Sequence, residues 1–291
     1  MSATRRHLLI GGLAVGSLTT IGTGAAAPTL AEDADGLALS GRHVQGGFVI
    51  GRTWPRAAVL VDGQVLTTAS ANGLFVIGFD RDQSPGVLIE VRSGTNTTRR
   101  TLTIAAGDFP TSRIDGLPPA TIAPSDPALL ERIRVEAALK AEGFASRIDA
   151  DDFRDGFAWP LDTYRVSSLW GAQRILNGTP ARPHYGIDLA APTGTPIRAP
   201  APGTVTFARS GMHFEGGLTL IDHGQGLVTA YLHQSRIDAV VGQRVGRGDI
   251  IGRVGMEGRA TGPHLCWRMK WRDRNLDPSL MIAASVPQPS A

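Results

Sequence analysis

Short β-type runs separated by turn residues are the feature that most limits what this chain can fold into. Between residues 45 and 104, five apolar or β-branched runs recur about every ten to twelve residues, with AspGly, AsnGly and ProGly pairs between them. A total of 36 glycines and 19 prolines against 6% aromatic residues suits such a turn-rich chain. The pattern predicts a small antiparallel β-sandwich over residues 32–107, after a loose polar lead-in at residues 32–42.

The second half of the chain has the same texture. Residues 153–285 contain short glycine-rich runs and no long helical pattern, which predicts a second domain built on an antiparallel β-sheet. Between the two domains, residues 108–152 predict a linker and one helix, which begins at Asp126 and Pro127 and ends near Gly143. The predicted fold is therefore mainly β, with two domains joined by a linker and one helix. Residues 286–291 predict a disordered tail.

The first 31 residues resemble an export signal. Arg5 and Arg6 precede a weakly apolar, glycine-rich run at residues 8–21, and small residues follow at 25–27. This order predicts a twin-arginine signal, although an ordinary secretory signal or an uncleaved anchor remains open. No later segment is apolar enough to span a bilayer, so we expect no stable membrane span after signal removal. The expected location is the periplasm or cell envelope.

Charge and cysteine content exclude two classes of protein. The formal net charge is +3, but residues 1–31 hold two of the 29 basic residues and no acidic one, which leaves 27 basic against 26 acidic residues. The remainder has no stretch of interleaved basic and aromatic residues, so we expect no nucleic-acid partner. A single cysteine, Cys266, excludes an intramolecular disulfide framework.

Two short segments concentrate residues that bind metals. Residues 182–188 place His184 and Asp188 four positions apart, and residues 261–266 place His264 and Cys266 two positions apart. Imidazole, carboxylate and thiolate groups all bind zinc, and three such ligands with an open fourth position are typical of a catalytic site.

Strand alternation predicts which side chains converge. In a strand over residues 264–271, His264, Cys266, Arg268 and Lys270 share one face, and the other face is apolar. A second strand over residues 227–233 would put Thr229, Tyr231 and His233 on one face. Three histidines (His184, His233 and His264) could then meet Asp188 and Cys266 at one site.

Four motifs, in order, resemble those of the LytM/lysostaphin-type zinc metallopeptidases of family M23. They are HisTyrGlyIleAsp at the start of residues 184–205, AspHisGlyGlnGlyLeu at 222–227, TyrLeuHis at 231–233 and GlyArgAlaThrGlyProHisLeuCys at 258–266. The resemblance implies a LytM-like catalytic domain with one Zn²⁺ per chain, acting on stem or cross-link peptides of peptidoglycan. It further implies that His184 and Asp188 are zinc ligands and that His233 and His264 are catalytic.

Cys266 departs from this family pattern, because it stands where the third ligand is a histidine. Three interpretations are open: Cys266 binds zinc as a thiolate, the site is weak or lacks metal, or Cys266 is a nucleophile paired with His264. We expect a zinc endopeptidase with Cys266 as the third ligand. The alternative is a catalytically inactive M23-like protein that binds peptidoglycan or regulates another cell-wall hydrolase, and the sequence leaves any regulatory partner open.

Several nearby polar residues have two interpretations. His223 is expected to be a turn residue rather than a ligand, and Arg174 is a candidate contact for substrate or a structural hydrogen-bond donor. Arg268 and Lys270 are candidates to meet an acidic peptide, or they lie on a solvated strand edge.

Overall fold

The computed structural model describes residues 36–116, 124–282, 284 and 286–287, and these residues belong to one unit. The predicted mainly β fold is confirmed. The strands of the first half are β1 (Leu37–Arg42), β2 (Phe48–Thr53), β3 (Ala58–Val61), β4 (Gln64–Thr68), β5 (Leu74–Gly78), β6 (Gly86–Ser93), β7 (Asn96–Thr103) and β8 (Thr111–Ile114).

The first seven strands form two antiparallel sheets, in the orders β1-β2-β5 and β4-β3-β6-β7. Their shared interior is aliphatic and aromatic, with Ile50, Val59, Phe75 and Ile89 fully buried. Strand β1 occupies the predicted loose lead-in. All of its residues pair with β2 through the backbone, and Leu37 is buried in the core.

One α-helix, α1, is present in the described part of the chain and spans Pro127–Phe144. Asp126 caps it by accepting a hydrogen bond from the backbone N–H of Ala128 at 3.1 Å, as the sequence predicts. Gly143 is buried near the end of the helix. A Cβ there would lie 2.8 Å from a side-chain atom of Leu220 and 3.0 Å from one of Phe207. The small residue therefore lets α1 lie against the second-half sheet.

The strands of the second half are β9 (Arg165–Ser168), β10 (Gln173–Leu176), β11 (Thr179–Pro180), β12 (Ile187–Ala190), β13 (Pro196–Arg198), β14 (Gly203–Met212), β15 (Gly216–Asp222), β16 (Leu227–Gln234), β17 (Arg236–Ile237), β18 (Arg244–Val245), β19 (Ile250–Arg253), β20 (His264–Trp271) and β21 (Arg274–Leu276), followed by a 3₁₀ turn at Pro278–Met281. The principal sheet has the order β18-β14-β15-β16-β20-β12-β9, with β21 on β20. A smaller sheet joins β13, β19 and β17. Strand β8, which lies inside the segment that the sequence predicts as linker, pairs in parallel with β10.

Strand β20 is central to the principal sheet, and its alternation follows the prediction. Leu265, Trp267, Met269 and Trp271 are all fully buried in the main core. Cys266 belongs to a separate apolar cluster on the opposite face. The predicted zinc ligand Cys266 therefore lies on one face of the sheet, and the opposite face packs against the main core.

The two halves share contacts through the turn after β5 and the end of the chain. Gly78 faces Leu276, the backbone N–H of Asn275 donates to Asp80, and the backbone N–H of Asp277 donates to the carbonyl of Gly46. The predicted domain boundaries stay a prediction. Residues 1–31, the predicted signal, lie outside the described residues, as do residues 288–291 of the predicted tail. Within the described ranges, no helix combines the length and apolarity needed to cross a membrane.

Candidate metal centre

The pairing of β12 with β20 places Asp188 directly opposite Cys266. Side chains of paired residues lie on the same face of a sheet, so the carboxylate and the thiol meet. His184 precedes β12, and its position is fixed by backbone hydrogen bonds to Ala172 and Gly171 at 2.9 and 2.7 Å. These are the three residues that the sequence predicts as metal ligands.

The three ligand-type groups are close enough to hold one ion. Nε2 of His184 lies 3.4 Å from Sγ of Cys266 and 3.1 Å from Oδ1 of Asp188. All three ligand atoms lie within 4.8 Å of one another, and all three residues are buried. Ligands of one tetrahedral zinc are separated by roughly 3–4 Å, given metal–ligand bonds of about 2.0–2.3 Å.

Two further observations fit a metal at this position. Oδ1 of Asp188 is buried and has no hydrogen-bond partner, although buried carboxylate oxygens are normally satisfied. Nδ1 of His184 lies 3.0 Å from the hydroxyl of Ser168, so donation from Nδ1 leaves the Nε2 lone pair directed at Asp188 and Cys266. The donor set of nitrogen, oxygen and sulfur matches zinc.

Gly186 is required by the closeness of β12 and β20. A Cβ at this position would lie 2.7 Å from Sγ of Cys266 and 2.9 Å from Cγ of Arg268. Real side chains do not tolerate such distances, so only glycine fits between His184 and Asp188 without displacing the thiol. The glycine of the HisTyrGlyIleAsp motif therefore has a packing reason.

Two arginines flank the anionic groups of the centre. Nε of Arg268 donates to Sγ of Cys266 at 3.4 Å, and an Nη atom of Arg174 lies 3.7 Å from Oδ2 of Asp188. Burial lowers the pKa of Arg174, whereas Cys266 and Glu215 outweigh burial and raise the pKa of Arg268. The sequence places Arg268 on the face of Cys266 but gives no sign of this direct contact.

The ionisable groups of the centre shift one another strongly. Burial opposes ionisation of Asp188, but the nearby ring of His184 and the charges of His184 and His264 hold the pKa of this carboxyl well below its usual range. Burial likewise opposes protonation of His184, and Cys266 and Asp188 outweigh it, so that the pKa of His184 is raised. Cys266 and Asp188 thus stabilise positive charge next to Nε2 of His184.

His233 and His264 stand beside these groups. Their ring centroids are 4.7 Å apart, and Nε2 of His264 lies 3.8 Å from Oδ1 of Asp188. Nδ1 of each ring faces a backbone carbonyl, that of Glu257 at 2.7 Å for His233 and that of Gly262 at 2.8 Å for His264. A carbonyl only accepts, so each Nδ1 carries the proton and each Nε2 presents a lone pair. Burial lowers the pKa of both rings, which keeps them neutral at pH 7.

His233 reaches the centre by a route that simple alternation does not predict. Thr229 and Tyr231 point into the main core beside Trp267, not toward Cys266. His233 has a left-handed backbone (φ 66), and its N–H donates to the carbonyl of Glu215 at 2.8 Å. The unusual backbone turns the ring to the side of His264, so the predicted common face of Thr229, Tyr231 and His233 is wrong although His233 does join the group.

His223 does not join the centre. It is fully buried, with Nδ1 2.6 Å from the carbonyl of Pro202 and Nε2 2.7 Å from the hydroxyl of Thr229. Burial lowers its pKa to about 4. The expectation that His223 is not a ligand agrees with this geometry, although its role is that of a core residue with both ring nitrogens engaged.

Comparison with known proteins assigns the region that carries this centre. Residues 182–278 match Peptidase family M23. Peptidoglycan DD-endopeptidase ShyA from Vibrio cholerae is 37% identical over 135 residues, which is 45% of this chain and 31% of that protein. DD-carboxypeptidase/endopeptidase Mpg from Neisseria meningitidis is 38% identical over 131 residues, or 45% of this chain and 29% of that protein. The chain thus spans about a third of the length of these curated relatives.

A solved structure extends the likeness beyond the matched region. The crystal structure of a peptidase M23 from Pseudomonas aeruginosa has a TM-score of 0.65 and 28% sequence identity, and the match covers 84% of this chain and 96% of that one. The first-half sheets and the principal sheet therefore have counterparts in one molecule.

Proposed function

We propose that the protein is a zinc-dependent endopeptidase that hydrolyses stem or cross-link peptides of peptidoglycan, because residues 182–278 match Peptidase family M23. The observation that carries the proposal is the group formed by His184, Asp188 and Cys266, whose ligand atoms lie within 4.8 Å of one another. The name of the relative ShyA, a peptidoglycan DD-endopeptidase, supports peptidoglycan as the substrate.

We assign Cys266 as the third zinc ligand. Its sulfur lies beside Nε2 of His184 and opposite Asp188, and it is 1% exposed. A nucleophilic cysteine needs access to substrate, whereas here the thiol is buried, and His264, the base proposed for it, approaches Asp188. The unpartnered Oδ1 of Asp188 argues against a site that does without metal.

Arg268 offsets the charge that a thiolate ligand adds. A thiolate in place of a neutral imidazole lowers the charge of the ligand set by one, and the guanidinium of Arg268 donates a hydrogen bond to that same sulfur. With Arg268 included, the centre carries the same net charge as a set of two histidines and one aspartate.

The bound zinc would supply Lewis-acid polarisation of the scissile carbonyl and activation of water. His233 and His264 present neutral Nε2 atoms to the same space, because their Nδ1 protons are held by the carbonyls of Glu257 and Gly262. Each is therefore equipped to accept a proton from water and to return it to the leaving amine. We assign both as catalytic residues.

Export to the periplasm or cell envelope is part of this proposal. Its support is the Arg5–Arg6 pair before an apolar run and the peptidoglycan substrate named for the relatives. The test is fractionation of cells that express the full chain and its Arg5→Lys, Arg6→Lys variant. Retention of the double variant in the cytoplasm is expected, and unchanged export would contradict the twin-arginine assignment.

Release of peptides from purified sacculi, measured together with zinc content, tests the activity. The zinc-loaded protein is expected to release cross-linked peptides, and His233→Ala is expected to abolish release while it retains zinc. If the wild-type protein holds zinc and binds sacculi but releases nothing, the non-catalytic alternative is favoured instead.

A further inference from the structure

A positively charged groove adjoins the metal centre on the same face of the principal sheet. It has a volume of about 520 Å³ and lies between α1 and strands β15, β16 and β20. Its floor is apolar and includes Leu218, Ala230 and Leu232. Arg268 lies in its wall and donates to Sγ of Cys266, so this one residue links the groove to the centre.

The charge of this groove is far from balanced. Glu215 and Asp273 are its two carboxylates, and Lys140 is already paired with Glu215. Six cationic side chains line it: Lys140, Arg147, Arg182, Arg268, Lys270 and Arg272. The formal net charge of the whole chain is only +3, so positive charge is concentrated here.

Lys270 is the cation with most to gain from an anionic ligand. It is half-buried on β20, two residues beyond Arg268, and its Nζ lies 5.3 Å above the ring of Phe144. Within the described part of the chain, no ion pair forms at Lys270 or Arg182. Burial lowers the pKa of Lys270; the charges of Asp273 and Asp80 oppose this, and those of Arg182 and Arg147 add to it. These cations repel one another, and an anion between them would relieve the repulsion.

We propose that this groove binds a carboxylate of the peptide substrate and so makes the enzyme prefer acidic peptides. The proposal rests on the proposed function, because the ligand of a groove that shares Arg268 with a peptidase centre is a flanking part of the peptide. Anionic groups of peptides are carboxylates, and the apolar floor accommodates the aliphatic carbons that carry them. Lys270 and Arg182 are the specificity-determining residues.

The test compares cross-linked stem-peptide dimers that differ in one group. In each dimer of the set, one free carboxylate is replaced by a carboxamide, and the zinc-loaded full chain is assayed with every member. We expect at least one replacement to lower kcat/KM by about fivefold to tenfold, mainly through KM, because the lost interaction is a partly desolvated charge-assisted hydrogen bond. The preference should weaken as ionic strength rises.

Three variants isolate the groove. Lys270→Gln should remove most of the preference for the carboxylate while cleavage of the carboxamide dimer changes little, and Lys270→Arg should keep the preference. Arg100→Gln removes a charge from β7, in the first half of the chain, and should leave the preference unchanged. Circular dichroism establishes that each variant is folded. Equal kcat/KM for all members of the set, or an unchanged preference in folded Lys270→Gln, would overturn the proposal.

Binding separates this inference from the proposed function. If no dimer is cleaved, the activity assignment fails, and fluorescence anisotropy of the labelled dimers still reports on the groove. Tighter binding of the carboxylate dimer than of its carboxamide partner, reduced in Lys270→Gln, would support the groove. Equal binding of the two would refute it.

Discussion

Acidification should destabilise the protein through His223, a buried histidine outside the metal centre. Nδ1 of His223 donates to the carbonyl of Pro202, and Nε2 accepts from the hydroxyl of Thr229, which in turn accepts from Tyr231 at 2.8 Å. Both ring nitrogens are thus satisfied in the neutral form. Protonation would place a charge on a fully buried ring, and burial therefore lowers the pKa of His223 from 6.5 to about 4. Protonation would also leave two donors facing each other at Nε2.

The sign and size of the effect follow from linkage. In the unfolded chain the ring titrates near 6.5, so between pH 6.5 and about 4 the unfolded state binds a proton that the folded state does not. The contribution of His223 to stability is therefore fully present above about pH 6.5 and is lost as the pH falls toward 4. The difference between the two pKa values corresponds to about 3 kcal/mol, of which about 2 kcal/mol is lost by pH 4.5.

Urea unfolding from pH 7 to 4.5, with metal removed by a chelator, measures this loss. His223→Gln is the matched variant, because its amide can donate to Pro202 and accept from Thr229 but does not titrate. The unfolding free energy of the wild-type protein should fall by about 2 kcal/mol more than that of His223→Gln across this range. His233 and His264 titrate in both proteins, so their contributions cancel in the comparison. Parallel pH profiles for the two proteins would refute the reasoning.

The remaining predictions concern the metal centre. Gly186→Ala should cost about 1–3 kcal/mol of stability by overpacking and should weaken zinc binding, whereas Gly86→Ala, whose added Cβ meets open space, should do neither; urea unfolding and chelator competition compare them. Cys266→His should retain zinc and move the acidic limb of the pH–rate profile to lower pH, because a neutral ligand raises the charge of the centre; an unmoved limb would count against a thiolate ligand. Arg268→Gln should weaken zinc binding by at least about tenfold more in the wild-type chain than in the Cys266→His variant, since only a thiolate gains from the guanidinium. Equal effects in the two backgrounds would show that Arg268 does not act through Cys266.

Much of the fold was predictable because burial and strand alternation agree in this chain. The four apolar residues from Leu265 to Trp271 define β20 to the residue, and the cap at Asp126 defines the start of α1. Strand β1 was not predictable in this way. It is held by backbone pairing to β2 and by Leu37 and Leu39 in the core, but its other side chains are small or polar and give no clear strand pattern.

The members of the centre were more predictable than their arrangement. His184, Asp188 and Cys266 meet because β12 pairs with β20, and the residue spacing within each motif anticipates this. The face of His233 depends on a left-handed backbone at that residue, which periodicity cannot indicate. The support from Ser168 likewise depends on the pairing of β9 with β12, which no motif indicates.

Zinc affinity with and without the cysteine tests the central claim most directly. Full-length protein and its Cys266→Ala variant are titrated with zinc in competition with a chelator, with His233→Ala as the control that leaves the ligand set intact. We expect one zinc per chain for the wild-type protein and for His233→Ala, and an affinity lower by more than about a hundredfold for Cys266→Ala. Equal zinc affinity and stoichiometry for Cys266→Ala and the wild-type protein would contradict the assignment of Cys266 as a metal ligand.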